Sequence, residues 1–245
     1  MRDVANVTEI RQNLAYKTDD HVFRSKDEYA QGKYDVTTRW LAPRISSGQL
    51  LLNIGCGSGE YNHKARALGL DVIACEPEAN AFELAQRSAP AGCEVLPIGL
   101  LELAQRSIAA DFIVMHDVLE HIEDDRAAVT AVLSLLKPGG VAVISVPAYQ
   151  WLYGHHDVQL GHYRRYTRRS LLKLFRADFV TEAARYYGAA LIPVALWFSR
   201  IRKTPYPVAA AGRGGPHTIM RWLCQTESRI PMPFGTSVLI RVRRR

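Results

Sequence analysis

From residue 49 onward, short apolar runs alternate with longer stretches in which apolar side chains return every three or four positions, the pattern of strands joined by helices. The runs predict strands at Leu50 to Ile54, Asp71 to Cys75, Glu94 to Ile98, Phe112 to His116 and Val141 to Val146, with helices between them. One helix is predicted over Asp124 to Leu136, stopped by Pro138-Gly139-Gly140, since proline cannot extend the hydrogen-bond ladder and glycine takes the turn that follows. Such alternation predicts a parallel sheet with helices on both faces. Ahead of it, Ile10, Leu14, Val22, Phe23, Tyr29, Tyr34 and Trp40 stand among charges and predict one or two amphipathic helices. After the fifth strand the pattern gives a helix at Ser170 to Phe175, a strand at Phe179 to Tyr187 and an alternating last strand at Thr236 to Val242. The stretch between these two strands, residues 188 to 234, is longer than a hairpin needs. It holds a helix candidate at Ala190 to Ile201, a Pro/Gly-rich loop from Lys203 to Pro216 and a second helix candidate at Thr218 to Glu227.

The first strand ends in Asn53-Ile54-Gly55-Cys56-Gly57-Ser58-Gly59. Three glycines in a strand-to-helix turn permit left-handed backbone and leave no Cβ between a ligand and the next helix's N-terminus, which marks a nucleotide-type cofactor site. The spacing is G-x-G-x-G, not the G-x-G-x-x-G of dinucleotide sites. Glu76 closes the second strand, where its carboxylate can accept both hydroxyls of a ribose, so an adenosine moiety is expected across the first two strands.

Here the sequence resembles the class I S-adenosylmethionine-dependent methyltransferases, and the likeness continues through Ala110 to His121 and Leu136-Lys137-Pro138-Gly139-Gly140. The resemblance implies a Rossmann-like sheet of seven strands, mostly parallel, with an antiparallel last strand. It also implies one domain over residues 1 to 245: an N-terminal helical lid to residue 48, a cofactor-binding core over 49 to 147, and a substrate-side region over 148 to 245 with an insertion at 188 to 234. The implied cofactor is S-adenosyl-L-methionine, held by Asn53, Gly55, Cys56, Gly57, Gly59, Glu76, Pro77, Leu100, His116 and Asp117. Asn53 departs from the family pattern, in which an acidic residue commonly stands two before the first glycine. Asp117 is expected to cap the turn that follows it.

Residues 147 to 166, after the fifth strand, are expected at the mouth of the site. His156 and His162 are the leading candidates for a general base, with His121 as a further candidate, because imidazole titrates near working pH. Tyr149 and Trp151 are candidates to line the acceptor pocket; Arg164 and Arg165 either bind an anionic group of the acceptor or pair internally with Asp157 or helix ends. No metal is expected, because His155, His156, Asp157 and His162 match no established ligand spacing. The Gly-His-Tyr-Arg-Arg-Tyr string at 161 to 166 resembles a subgroup of small-molecule methyltransferases, similar to types 11 and 23.

Composition narrows the classes. The chain is 245 residues long, 48% hydrophobic and 22% charged, the values of a soluble globular protein. Cys56, Cys75, Cys93 and Cys224 show no metal or redox spacing and read as reduced thiols of a cytoplasmic protein. The N-terminal residues show no signal-peptide core, and the longest apolar stretch, Gly188 to Phe198, is too short to span a bilayer. Net charge is +7 but uneven: residues 1 to 150 carry 14 Lys and Arg against 20 Asp and Glu, and residues 151 to 245 carry 17 against 4. The basic half leaves an anionic acceptor, a lipid surface or a nucleic acid open. The expectation is methyl transfer to an oxygen or nitrogen of a small-molecule acceptor, with no stable nucleic-acid partner: His116-Asp117-Val118-Leu119 stands where methyltransferases of nucleic-acid amines carry an N/D-P-P-Y/F string. RNA or protein methylation, and a non-catalytic protein of the same fold, stand as alternatives. Nothing in the sequence sets the oligomeric state.

Overall fold

The computed structural model describes residues 27–202 and 215–245. In chain order the helices are α1 (Glu28–Leu41), α2 (Glu60–Ala67), α3 (Ala79–Arg87), α4 (Leu100–Leu103), α5 (Asp125–Leu135), α6 (His155–Leu160), α7 (Arg168–Phe175), α8 (Ile192–Leu196) and α9 (Gly215–Arg229). The strands are β1 (Leu50–Ile54), β2 (Asp71–Cys75), β3 (Cys93–Leu96), β4 (Ala110–His116), β5 (Leu136–Pro147), β6 (Phe179–Tyr187) and β7 (Ser237–Arg244). They form one sheet in the order β3-β2-β1-β4-β5-β7-β6. Strands β1 to β5 pair in parallel, and β7 runs antiparallel to both neighbours.

Alternation along the strands separates two buried faces. Leu52, Ile113, Met115, Ile144 and Ile240 pack with α4, α5 and α7, whereas Leu51, Val72, Val114 and Val143 pack with α1, α2 and α3. Val36 of α1 and Cys224 of α9 cover Tyr187 and Leu239 at the far edge. In a sheet of this order the chain reverses direction between β1 and β4, and ligands bind outside the carboxyl ends of the strands at such a point. The glycine turn, Glu76 and His116-Asp117 all lie at those ends.

The expected strands are present, with shifted limits. Helix α5 stops at Leu135, and Leu136 is already extended (φ −92°, ψ 140°) and paired with Ala110. Pro138 disfavours helical backbone at Lys137, so the stop signal acts earlier than expected and residues 136–140 join β5. The helix expected over Ala190 to Ile201 is a 3-10 turn, the short α8 and a π-helical stretch at Trp197–Arg202. The second insertion helix is longer than expected, Gly215–Arg229. Residues 203–214 of the expected loop, and the apolar positions before residue 27, lie outside the described residues. No helix among the described residues is long and apolar enough to cross a membrane.

Candidate active site

Gly55, Gly57 and Gly59 have φ of +62°, +56° and +90°, the left-handed backbone that turns the chain from β1 into α2. A Cβ on Gly55 would lie 2.5 Å from Cγ2 of Val118, so the turn packs directly on the segment after β4. At Gly57 the place of a Cβ is open, with nothing within 4 Å. The Gly57 N–H donates to Oε2 of Glu76 at 2.9 Å and the Glu78 N–H donates to Oε1 at 3.0 Å, which fixes the carboxylate at the edge of the turn. Open backbone beside a fixed carboxylate suits the sugar and amino-acid parts of S-adenosylmethionine. Asn53 is buried and donates from Nδ2 to Oδ1 of Asn62 at 2.7 Å, so the residue that departs from the family pattern stitches β1 to α2. Cys56 is buried, and burial pushes its thiol well above the ordinary range, leaving it unreactive. Pro77 is exposed and Leu100 packs in the core at the start of α4.

Helix α1 lies against the carboxyl end of β4. Its N-cap Asp27 accepts from the Tyr29 N–H, and its Lys33, 4% exposed, donates to Oδ2 of Asp117 while lying 4.9 Å from the Tyr29 ring centroid. Asp117 also accepts from the Ser145 hydroxyl at 3.1 Å and has a left-handed φ of +55°. It therefore does not cap the following 3-10 turn, Leu119–His121, whose N-cap is Val118 with no side-chain cap; the Lys33 ammonium is the stronger partner. Burial opposes the charge on Asp117, yet Lys33 outweighs it and holds the carboxyl below its usual range. His116 sits between the Tyr34 and Tyr61 rings, with Nε2 2.9 Å from the Thr37 hydroxyl. Burial, reinforced by Lys33, lowers its pKa to about 3, so the imidazole is neutral. Sequence reasoning missed Lys33, Thr37, Tyr29 and Ser145. The apolar stripe of α1 announces the helix but not which polar residue it delivers to a strand 84 positions away.

The segment after β5 is built around Asp157, which is fully buried. It accepts from Arg165 Nε (2.7 Å) and Nη2 (2.8 Å) and from the Gly154 N–H (2.9 Å), and pairs with His162 Nδ1 at 2.8 Å. Burial pushes the carboxyl up, but the bonds from His162 and Arg165 prevail and hold it at about 2. Arg164 donates to the carbonyls of Ile122 (3.0 Å) and Glu123 (2.5 Å). Both arginines thus make internal bonds, Arg165 with Asp157 and Arg164 with the carbonyls before α5. Tyr149, at φ +61°, stacks on Trp151 at 5.4 Å and on Tyr186 at 5.2 Å, and Trp151 is about half exposed. His156 is half-buried in α6. His121 is exposed and meets the His162 ring edge to face at 4.6 Å. Glu120 was no candidate from sequence; it is fully buried, and burial pushes its carboxyl well above the usual range.

The profile of the methyltransferase domain family matches residues 26–194, more than half of the chain. An uncharacterised methyltransferase of Mycobacterium ulcerans (strain Agy99) is 32% identical over 146 residues, 55% of this chain and 56% of the relative. A ubiquinone biosynthesis O-methyltransferase of Cereibacter sphaeroides (strain ATCC 17025 / ATH 2.4.3) is 33% identical over 109 residues, 42% of this chain and 43% of that protein. The chain spans about half the length of the curated relatives it matches. Among solved structures, the N-methyltransferase NodS of Bradyrhizobium japonicum WM9 bound to S-adenosyl-L-homocysteine superposes with a TM-score of 0.57 at 14% identity, covering 86% of this chain and 85% of that one, a likeness of fold. With the strand order, the glycine turn and the fixed Glu76 carboxylate already in place, the chain belongs to the methyltransferase domain family, with the class I S-adenosylmethionine-binding fold.

Proposed function

We propose that this chain transfers the methyl group of S-adenosylmethionine to an oxygen or nitrogen atom of a small-molecule acceptor. The observation that carries this reading is the oriented His162: Asp157, clamped by Arg165, engages Nδ1 and leaves Nε2 as the nitrogen that can take a proton. When bound, the cofactor supplies a methyl group already activated on a sulfonium. The protein's tasks are then to bind, to align and to move one proton. Gly55, Gly57, Gly59 and Glu76 bind, and α1 with its Lys33–Asp117 pair covers the carboxyl end of β4. The Tyr149–Trp151 stack offers a flat wall for a planar acceptor. Nε2 of His162 would take the proton that the acceptor atom gives up on methylation. Similarity to an O-methyltransferase in sequence and to an N-methyltransferase in fold supports an oxygen or nitrogen acceptor.

Calorimetric titration tests the cofactor half of the proposal. Wild type is expected to bind S-adenosylmethionine and S-adenosylhomocysteine in the micromolar range, Gly57→Arg to lose binding because the side chain fills the open backbone face, and Glu76→Ala to weaken it at least tenfold. His162→Ala should keep cofactor affinity and lose turnover across a panel of phenols, hydroxy acids and amines. Absence of binding to wild type would overturn the reading.

A further inference from the structure

The turn after β4 and the segment after β5 are sewn together along their backbones. The Tyr163 N–H donates to the Glu120 carbonyl at 2.8 Å, and Arg164 reaches the next two carbonyls, those of Ile122 and Glu123. This brings Glu120, His121 and His162 to one place: a carboxylate oxygen and one ring nitrogen from each histidine lie within 4.8 Å of one another. Among the described residues it is the one group of three such side chains with this closeness.

Two features distinguish the group from a chance cluster. Glu120 is fully buried, yet neither carboxylate oxygen has a hydrogen-bond partner. A carboxyl group in that position carries an uncompensated desolvation cost, which a cation would remove. His162 has Nδ1 engaged by Asp157, and Asp157 is clamped by Arg165 on the other side. A carboxylate holding the far nitrogen of an imidazole fixes the ring's tautomer and orientation, and this is the arrangement that surrounds metal-ligating histidines. Three bonds of about 2.0–2.2 Å in tetrahedral geometry separate ligand atoms by about 3.3–3.6 Å. The three ligand atoms, already within 4.8 Å of one another, would close to that separation on an ion.

We propose that Glu120, His121 and His162 form a binding site for a divalent first-row transition metal ion, with at least one coordination position left for an oxygen of the acceptor. Two imidazoles and a carboxylate without thiolate select zinc, iron(II), cobalt(II) or manganese(II) over calcium or magnesium. The site lies three residues beyond Asp117, beside the end of the sheet where the cofactor binds. Its role deepens the proposed function and rests on it: with an ion bound, His162 Nε2 would serve as its ligand in place of taking the acceptor's proton directly. The ion would lower the pKa of an acceptor hydroxyl that it holds, so that the proton would pass to water and the oxygen would be left able to take the methyl group.

The test begins with chelator-treated protein, titrated with Zn²⁺ in a calorimeter and, separately, with Co²⁺ followed by visible absorption. One equivalent per chain is expected, with cobalt bands of a four- or five-coordinate site. Affinity should fall at least tenfold in His121→Ala, whose side chain is exposed and outside the core, and in Glu120→Gln. Asp157→Asn, which leaves the three ligands in place, should weaken binding 10–100-fold. His63→Ala and His155→Ala, both altering exposed histidines, should bind as wild type does. No stoichiometric binding, or binding undiminished in His121→Ala and Glu120→Gln, would overturn the site. S-adenosylhomocysteine affinity is measured on the same samples, so a failed metal site with an intact cofactor site is distinguished from failure of the methyltransferase reading itself.

Discussion

His116 is a titratable group that the fold keeps neutral. In the unfolded chain its value is near 6.5, and in the folded chain burial and the neighbouring Lys33 bring it to about 3. Between these values the unfolded state binds a proton that the folded state does not. The stability contributed by the neutral ring is therefore complete above pH 6.5 and is lost as pH falls toward 3. Urea unfolding at pH 7.5, 6, 5 and 4 should show a decline in stability that is shallower in His116→Gln; identical slopes in the two proteins would refute this account. The neighbouring ion pair makes a different prediction. Lys33 is almost fully buried while the Asp117 side chain is 35% exposed, so removing the carboxylate strands the ammonium in a partly dry site. Asp117→Asn should cost about 2 kcal/mol, below the usual range for buried pairs because water reaches Asp117. Adding Lys33→Met should recover part of that loss, and a strictly additive double variant would mean that the two groups do not interact.

At the scale of elements, the insertion after β6 is held by two buried groups. Glu227 of α9 accepts from the N–H groups of Gly188, Ala189 and Ala190 at 2.8, 2.8 and 2.9 Å, capping the turn that leaves the strand. Arg185 of β6 donates in return to the carbonyls of Glu227, Ser228 and Ile230 at the end of α9. Glu227→Ala leaves three backbone donors without their acceptor and should destabilise the protein by about 3 kcal/mol, read as a shift in the urea midpoint at unchanged slope. A shift no larger than that of a surface substitution such as Glu83→Ala would count against the clamp. This contrast explains what was legible from sequence. The strands were readable because their alternation is local and each strand faces two apolar layers. The glycine turn was readable because positive φ and an open backbone demand glycine at fixed spacing. The clamp joins Arg185 to residues more than 40 positions away, and Lys33 meets Asp117 across 84, so no local pattern records either. Glu120 stood in a family-like string, but its burial depends on how the segment after β5 folds over it.

At the scale of the whole molecule, the uneven charge has a structural explanation. Of the C-terminal arginines, Arg164, Arg165 and Arg185 bind internal carbonyls or Asp157. Arg241 and Arg243 converge on Glu182, and Arg244 donates to the carbonyl of Leu133. Much of the basic excess therefore ties the last two strands and the post-β5 segment to their neighbours. Among the described residues, one surface shared by basic side chains is a shallow one whose lining includes Arg169, Lys173, Arg176 and Arg245. Four such charges on a single-stranded RNA would give a slope of about −3 in log affinity against log salt, whereas a face built from the whole basic half would give one steeper than about −6. Fluorescence anisotropy with a labelled single strand between 50 and 300 mM salt should accordingly show weak binding with the shallow slope, unchanged by S-adenosylhomocysteine. A steep slope, or affinity that rises with the cofactor product bound, would move the acceptor from small molecule to RNA, because the basic residues would then act outward on phosphates and not inward on the fold.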